Sequence, residues 1–219
     1  MLKINKTVLP SKGQWEIIIE GMRNPMNSWH ISDSFKCEEQ PYCYAPNCYQ
    51  CIGKNDHDLM TKLAAGGSVH AKYRRMIPVW FTVTAPLYWW KEFDTYKVGT
   101  VANSCSTMHK IHSKEFTLDD FSHERLDPFA LNVLHLVIKN LNTNRNLFIS
   151  EGNKQHWENM IQLLPSSYNQ KRTIMLNYEV LVGIYRDRKN HKLDEWHVFC
   201  DWIRSLPYSE LITGGAEDE

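Results

Sequence analysis

The most constraining feature of the chain is the segment from residue 79 to residue 110, VWFTVTAPLYWWKEFDTYKVGTVANSCSTMHK. It begins with an apolar residue at every second position, as at Val79 and Phe81, which is the period of a β-strand. Pro86 favours extended backbone before it, and an aromatic stretch with helical spacing follows it. Residues 99–107 are small and polar, and such residues let a backbone approach a ligand closely. We therefore predict a strand, a helix and a binding loop in this order.

The composition excludes several classes of protein. With 219 residues and 42% hydrophobic content, the chain can bury a core of its own. Lys+Arg and Asp+Glu both number 25, so the formal net charge of zero argues against a nucleic-acid-binding surface. No run of about eighteen apolar residues is present, and the opening segment MLKINKTVLPSKG lacks the apolar core of a signal peptide. We expect a cytoplasmic protein that binds neither membrane nor nucleic acid.

The predicted elements indicate an α+β fold in which helices outnumber strands. We interpret the whole chain, 1–219, as a single domain. Residues 13–26 are predicted as a first strand and turn, and residues 27–55 as a loop. Helical spacing and helix-end signals predict further helices at residues 57–67, 128–145, 153–164, 177–190 and 193–206.

Four of the six cysteines fall within residues 37–51, CEEQPYCYAPNCYQC, namely Cys37, Cys43, Cys48 and Cys51. The last two form a C-x-x-C pair, but the first spacing is looser than in a paired zinc knuckle. Thiols stay reduced in a chain without a secretion signal, so a tetrahedral zinc-thiolate site can form here. The alternatives are a loop of free thiols and a redox-labile pair.

Residues 79–110 resemble the signature region of the flavin-dependent thymidylate synthases. In that family a strand ending in Ala-Pro and an aromatic helix lead to Arg-His-Arg, x-x-Ser, x-Asn-Glu and x-Ser-x-Arg. Thr95, Tyr96 and Lys97 stand at the Arg-His-Arg positions of the motif. Asn103 and Ser106 are identical to the family residues at their positions.

Two other stretches are similar to the same family in the same order. Upstream, DHDLMTKLAAGGSVHAKYRRMIPVWF resembles a family helix and the turn after it, with His70 at the flavin-facing histidine. Downstream, LLPSSYNQKRTIMLNYEVLVGIYRDR preserves the family spacing of twelve residues from Pro165 to Asn177 and eleven from Asn177 to Arg188. The resemblance places Asn177 on a helix, at a flavin contact, and Arg188 at the arginine that holds the pyrimidine ring.

The resemblance implies a fold with a small sheet, several helices and, at residues 37–51, a Cys-rich loop insertion in which zinc would be structural. It also implies FAD as cofactor, a pyrimidine deoxynucleotide of the deoxyuridylate type as substrate, one-carbon transfer from folate to C5, and a homotetramer. We expect Trp89 and Trp90 to pack in the core or at a subunit contact. The implied site residues are His70, Lys97, Asn103 and Asn177 for the cofactor, Ser106 and Arg188 for the substrate, and Arg188 for catalysis.

The departures from the family pattern leave the activity open. Thr95, Met108 and Ile161 stand where the family has arginines for the nucleotide phosphate, and Lys97 keeps one charge. Either other residues hold the phosphate, or the substrate differs, or the catalytic function is lost. Two hypotheses follow. One is a thymidylate synthase-like methyltransferase, and the other is an inactive or repurposed binder of a nucleotide or a protein on the same fold.

The zinc hypothesis predicts about one zinc per chain by elemental analysis. Cys48→Ser is expected to release the metal, because a structural site needs all four thiolates, and to destabilise the loop. Metal-free protein of unchanged stability would leave free thiols as the correct interpretation.

Overall fold

The computed structural model describes residues 2–35 and 52–214. The predicted insertion at residues 37–51, with Cys37, Cys43, Cys48 and Cys51, lies outside the described residues, and the zinc site stays a prediction. Within residues 2–35 and 52–214, no group of His, Cys, Asp and Glu is arranged to hold a metal ion.

A small sheet of four strands has the order β1-β2-β4-β3. The strands are β1 Lys3–Val8, β2 Pro78–Pro86, β3 Val101–Ser104 and β4 Asn169–Asn177. β2 and β4 run antiparallel, because the Tyr178 amide donates to the Ile77 carbonyl at 3.1 Å and the Leu87 amide donates to the Tyr168 carbonyl at 3.0 Å. The predicted strand before Pro86 is confirmed. β1 and β4 were not predicted, and β3 occupies part of the predicted binding loop.

Eight α-helices outnumber the four strands in the described part of the chain, which confirms the predicted α+β class. They are α1 Lys12–Arg23, α2 Lys54–Ala65, α3 Leu87–Phe93, α4 Pro128–Glu151, α5 Lys154–Leu163, α6 Tyr178–Arg188, α7 Asp194–Arg204 and α8 Glu210–Thr213. Short 3-10 helices occur at Asn24–Met26, Trp29–Ile31, Lys72–Met76 and Leu118–Asp120. Among the helices of the described ranges, none combines the length and apolar character needed to cross a bilayer.

The predicted strand at residues 13–26 is wrong, because this segment forms α1. Trp15, Ile18 and Met22 follow one another at helical spacing and are each at most 2% exposed. The Ser11 amide also donates to the Gln14 side chain at 2.8 Å, which satisfies one of the N–H groups that a helix start leaves unpaired. A core-facing stripe and a local start signal therefore override the strand preference of three consecutive isoleucines.

The described residues divide into two compact units. The first, called the α4 unit, consists of Met1–Ile4, Thr82–Thr95 and Ala102–Thr173. The second, called the α6 unit, consists of Asn5–Phe81, Tyr96–Val101 and Ile174–Glu219. Both names refer only to residues within the described ranges.

The core of the α4 unit lies where α4 packs against α5. α4 begins as predicted, with Asp127 accepting a hydrogen bond from the Ala130 amide at 2.8 Å and Pro128 in the first turn. The buried cluster consists of Ile111, Phe116, Phe121, Leu134, Ile138, Leu141 and Met160. Trp89 and Trp90 of α3 are at most 1% exposed, so both are buried within the single chain.

A buried ion pair organises the α6 unit near the start of α2. The Arg23 side chain donates through Nε to Asp56 Oδ1, and these residues are 1% and 0% exposed. The other oxygen, Asp56 Oδ2, accepts from the Ser32 hydroxyl at 2.9 Å and the Ser34 amide at 2.9 Å. Burial raises the pKa of Asp56, but the hydrogen bonds from Ser34, Arg23 and Ser32 outweigh burial and hold the pKa below its ordinary value.

The side chains of Asp33 and Ser34 also accept hydrogen bonds from backbone amides at the start of α2. Asp33 accepts from the Asn55 amide at 3.0 Å and from the Asp56 amide at 3.2 Å. The Gly53 amide donates to the Ser34 hydroxyl at 2.9 Å. The start of α2 is thereby tied to residues 32–34 through both side chains and backbone.

Asp56→Asn is expected to lower the free energy of unfolding at pH 7 by about 3 kcal/mol, because it leaves the Arg23 charge buried without a counter-charge. Since the folded pKa of Asp56 is depressed, its ionised form stabilises the fold above the unfolded pKa, and this contribution is lost as the pH falls through the folded pKa. The difference between parent and variant should therefore shrink in acid. Urea unfolding at several pH values measures it, with the exposed Asp58→Asn as control. A pH-independent difference would contradict the assignment.

Candidate functional site

The N-terminus of α6 is fixed by Asn177, the last residue of β4. The Asn177 side-chain oxygen accepts a hydrogen bond from the Val180 amide at 3.1 Å. This contact caps the helix by satisfying one of its unpaired N–H groups. Asn177 therefore lies at a strand-to-helix junction. The prediction that places it on a helix differs from the structure in this respect.

Arg188, the last residue of α6, is held between two aromatic rings. Its Nε donates to the Tyr96 hydroxyl at 2.9 Å, and its guanidinium carbon lies 5.5 Å from the Tyr96 ring centroid and 4.7 Å from that of Trp196. Trp196 is fully buried, and its ring meets that of Tyr96 edge to face with centroids 6.3 Å apart. The two rings thus restrict the position of the partly exposed guanidinium through cation–π contact and hydrogen bonding.

The segment after Tyr96 approaches the other end of α6 closely. Gly99 has φ +77°, and a Cβ there would lie 3.0 Å from Val180 Cγ2 and 3.3 Å from Asn177 Nδ2. Only glycine accepts this combination without strain. Lys97 is exposed in the same turn, where its carbonyl accepts from the Thr100 amide at 3.3 Å. The α6 unit therefore brings the Tyr96–Gly99 segment against both ends of α6.

His70, the fourth predicted site residue of the α6 unit, follows α2. Its side chain is exposed, and its ring atoms lie 3.2 to 3.4 Å from where a Cβ on Gly66 would be. The His70 amide donates to the Gly67 carbonyl at 3.0 Å, within the turn that the glycines predicted. This places His70 at a turn on the surface of its unit.

The remaining two predicted residues, Asn103 and Ser106, belong to the α4 unit and are exposed. Asn103 lies in β3. The Ser106 hydroxyl accepts from the His109 amide at 2.9 Å, which forms a local turn. Beside them, the Cys105 amide donates to the Lys171 carbonyl of β4 at 2.9 Å. These polar side chains therefore stand on an ordered strand end.

The three positions at which family arginines are replaced all have local structural contacts in the α4 unit. The Thr95 hydroxyl donates to the Glu92 carbonyl at 2.7 Å, at the end of α3. The Met108 carbonyl accepts from the Trp157 indole at 3.0 Å, and Ile161 packs against the buried cluster. None of these contacts supplies a cation for a phosphate.

Sequence reasoning did not identify Tyr96 or Trp196 as site residues. Tyr96 stands at the histidine position of the Arg-His-Arg motif, where the sequence indicates only that the family histidine is absent. Trp196 lies eight residues after Arg188, within the first turn of the amphipathic helix α7, where a tryptophan usually packs in the core. No sequence signal pairs Tyr96 with Arg188, because the two residues are far apart in the chain.

Solved structures with the same fold are known. The chain is similar to flavin-dependent thymidylate synthase ThyX from Helicobacter pylori complexed with FAD and dUMP, with 13% identity, a TM-score of 0.66 and 99% of each chain covered. A second ThyX structure from Helicobacter pylori with FAD and dUMP is 14% identical, with a TM-score of 0.64 over 96% of this chain and 94% of the other.

A related enzyme shares the fold as well. The UMP/dUMP methylase PolB from Streptomyces cacaoi, bound with 5-Br UMP, is 11% identical, with a TM-score of 0.59 over 98% of this chain and 94% of the other. No protein-family model and no curated protein matches the sequence. The resemblance read from the sequence is thus confirmed in the fold, and the chain has the architecture of the flavin-dependent thymidylate synthases.

Proposed function

We propose that the protein is a flavin-dependent enzyme that transfers a one-carbon unit to C5 of a deoxyuridylate-type pyrimidine nucleotide. The observation that carries this proposal is the aromatic clamp formed by Tyr96 and Trp196 around Arg188. Arg188 is the residue that the resemblance assigns to the pyrimidine ring. A clamped guanidinium presents its N–H donors to a carbonyl oxygen in a fixed plane, whereas a free surface arginine does not.

Asn177, at the start of α6, is the proposed flavin contact of this helix. The Val180 and Asn177 side chains pack against the backbone at Gly99, which holds the Tyr96–Gly99 segment beside it. Because Asn177 Oδ1 caps α6, its Nδ2 group is the side-chain donor that remains for a cofactor. His70, Lys97 and Asn103 complete the proposed cofactor set. A bound reduced flavin would supply hydride chemistry, and the protein would supply orientation and electrostatics.

The proposed substrate residues are Arg188 and Ser106. A guanidinium has five N–H donors and no acceptor, so in its proposed catalytic role Arg188 binds and orients a pyrimidine carbonyl. Ser106 offers a hydroxyl for the nucleotide, with Lys97 as the charge that replaces a family arginine. Folate is the one-carbon donor that the resemblance implies.

The second candidate is a repurposed homologue that binds a nucleotide or a protein without catalysis. It is favoured by the contacts of Thr95, Met108 and Ile161, which leave the three phosphate-binding positions without charge. A dianionic phosphate requires arginine forks or several N–H donors. The two candidates differ in whether purified protein carries flavin.

Purified parent protein is expected to absorb in the visible flavin bands. Asn177→Asp should lower the flavin content with little change in melting temperature, because aspartate keeps the helix cap and loses the amide donor. Asn177→Ala should lower both, with a loss of about 1 kcal/mol of stability from the missing cap. Colourless parent protein that takes up no added FAD would favour the second candidate.

Arg188→Lys is expected to weaken deoxyuridylate binding by about 1.5–3 kcal/mol, because lysine keeps the charge but loses the planar fork. Isothermal titration calorimetry on flavin-loaded protein measures the change. Arg186→Lys is the matched control, since Arg186 lies two residues away and is 76% exposed beside Asp187. Equal effects of the two substitutions, or no binding of any pyrimidine nucleotide by the parent, would contradict the proposed role.

We further propose the homotetramer that the resemblance implies, with the outer face of α4 as a contact surface. Phe129, Val133 and Leu136 share one helical face and are 78%, 45% and 67% exposed. Trp89 and Trp90, predicted to pack in the core or at a subunit contact, are buried within the chain and leave α4 as an exposed apolar face. Light scattering should report a tetramer, and Leu136→Lys should shift it to smaller species, while His135→Lys, on a different face of α4, should not. A monomeric parent would contradict this proposal.

A further inference from the structure

A cleft of about 490 Å³ lies in the α6 unit and contains none of the residues proposed for flavin or nucleotide. Its volume is in the range of small-molecule sites. It is lined by one side of α1, by Asn24 and by residues 29–35, with Glu16, Ile19, Glu20, Arg23, Trp29 and Phe35 forming most of its wall.

Arg23, in the wall of this cleft, is 1% exposed, and one of its groups has no partner in the part of the chain that the structure describes. Its Nε donates to Asp56, and its Nη1 donates to the Ser28 carbonyl and hydroxyl, both at 3.2 Å. Its Nη2 is buried and makes no hydrogen bond with any of residues 2–35 and 52–214. Asp56 already balances the charge of Arg23, so a neutral acceptor such as a carbonyl oxygen would satisfy Nη2 without adding an unpaired charge.

The rest of the wall favours a cation with an apolar body. Glu16 and Glu20 are one helical turn apart on the same side of α1, and both are exposed. Arg23 is balanced by Asp56, and the Lys12 ammonium, 5.7 Å from the Phe35 ring centroid, offsets one of the two carboxylates. The cleft therefore keeps a negative charge. The indole of Trp29 is 48% exposed, and its face can hold an aromatic ring or an ammonium group.

We infer that this cleft binds a small organic ammonium compound whose aromatic or apolar body carries a neutral carbonyl oxygen. The carbonyl accepts from Arg23 Nη2, the ammonium group pairs with Glu16 and Glu20, and the body packs on Ile19 and Trp29. This ligand class is distinct from the flavin and the nucleotide of the proposed function, and its binding does not depend on them.

L-phenylalaninamide, which combines the three groups, is a suitable probe for calorimetry with the full chain at about pH 6.5, where its amine is protonated. We expect saturable binding below about 10 mM. 2-Phenylethylamine lacks the carbonyl and should bind roughly tenfold more weakly, as the loss of one hydrogen bond to a charged donor predicts. 3-Phenylpropionate, an anion with the same ring, should not bind.

The double substitution Glu16→Gln and Glu20→Gln removes the carboxylates without touching the buried ion pair, and it should weaken L-phenylalaninamide binding about fivefold. Glu115→Gln, at an exposed position in the α4 unit, is the control and should leave affinity unchanged. The flavin content should be the same in all variants. No saturable binding of L-phenylalaninamide, equal binding of 3-phenylpropionate, or an unchanged affinity in the double variant would each overturn the inference.

Discussion

The antiparallel pairing of β2 and β4 is the constraint on which the described site depends. Each strand ends where a helix begins. The first amide of each helix donates to the residue just before the neighbouring strand, Leu87 to Tyr168 and Tyr178 to Ile77. The start of α6 is therefore set by the register of the sheet. Arg188 lies eleven residues after the cap residue at that start, so about three helical turns fix its distance from the cap. A one-residue slip in the strand would move the cap and the guanidinium together.

The contacts of Arg188 show how the site can persist although its motif has changed. In the family pattern a histidine stands at the position of Tyr96, and here the tyrosine supplies both a hydroxyl acceptor and a ring face to Arg188. Trp196 supplies the second face from α7. The residue at this motif position thus contacts Arg188, whose spacing from Asn177 matches the family pattern. Under the proposed function, the residues that hold the pyrimidine ring can therefore change independently of those that hold the phosphate.

Strong local signals made most helices predictable from the sequence. Asp127, followed by proline and a long apolar stripe, fixes α4, and the glycines after α2 fix its end. β4 could not be predicted, because the charged Arg172 interrupts the apolar alternation of its buried face. The structure accommodates this arginine by placing its guanidinium carbon 4.3 Å from the ring centroid of Trp90, a contact that the sequence does not show. The spacing of Asn177 and Arg188 predicted residues that the structure places at the two ends of one helix. Their aromatic partners could not be predicted, because they are distant in sequence and tryptophan is usually core.

The hydrogen bond between Gly53 and Ser34 has an evolutionary consequence. This bond joins Ser34 and Gly53, so the two points of the chain are held together whatever the number of residues between them. The free energy of closing a chain between two fixed points changes only slowly with its length. This position can therefore accept insertions, deletions or an exchanged module without disturbing the buried pair of Arg23 and Asp56.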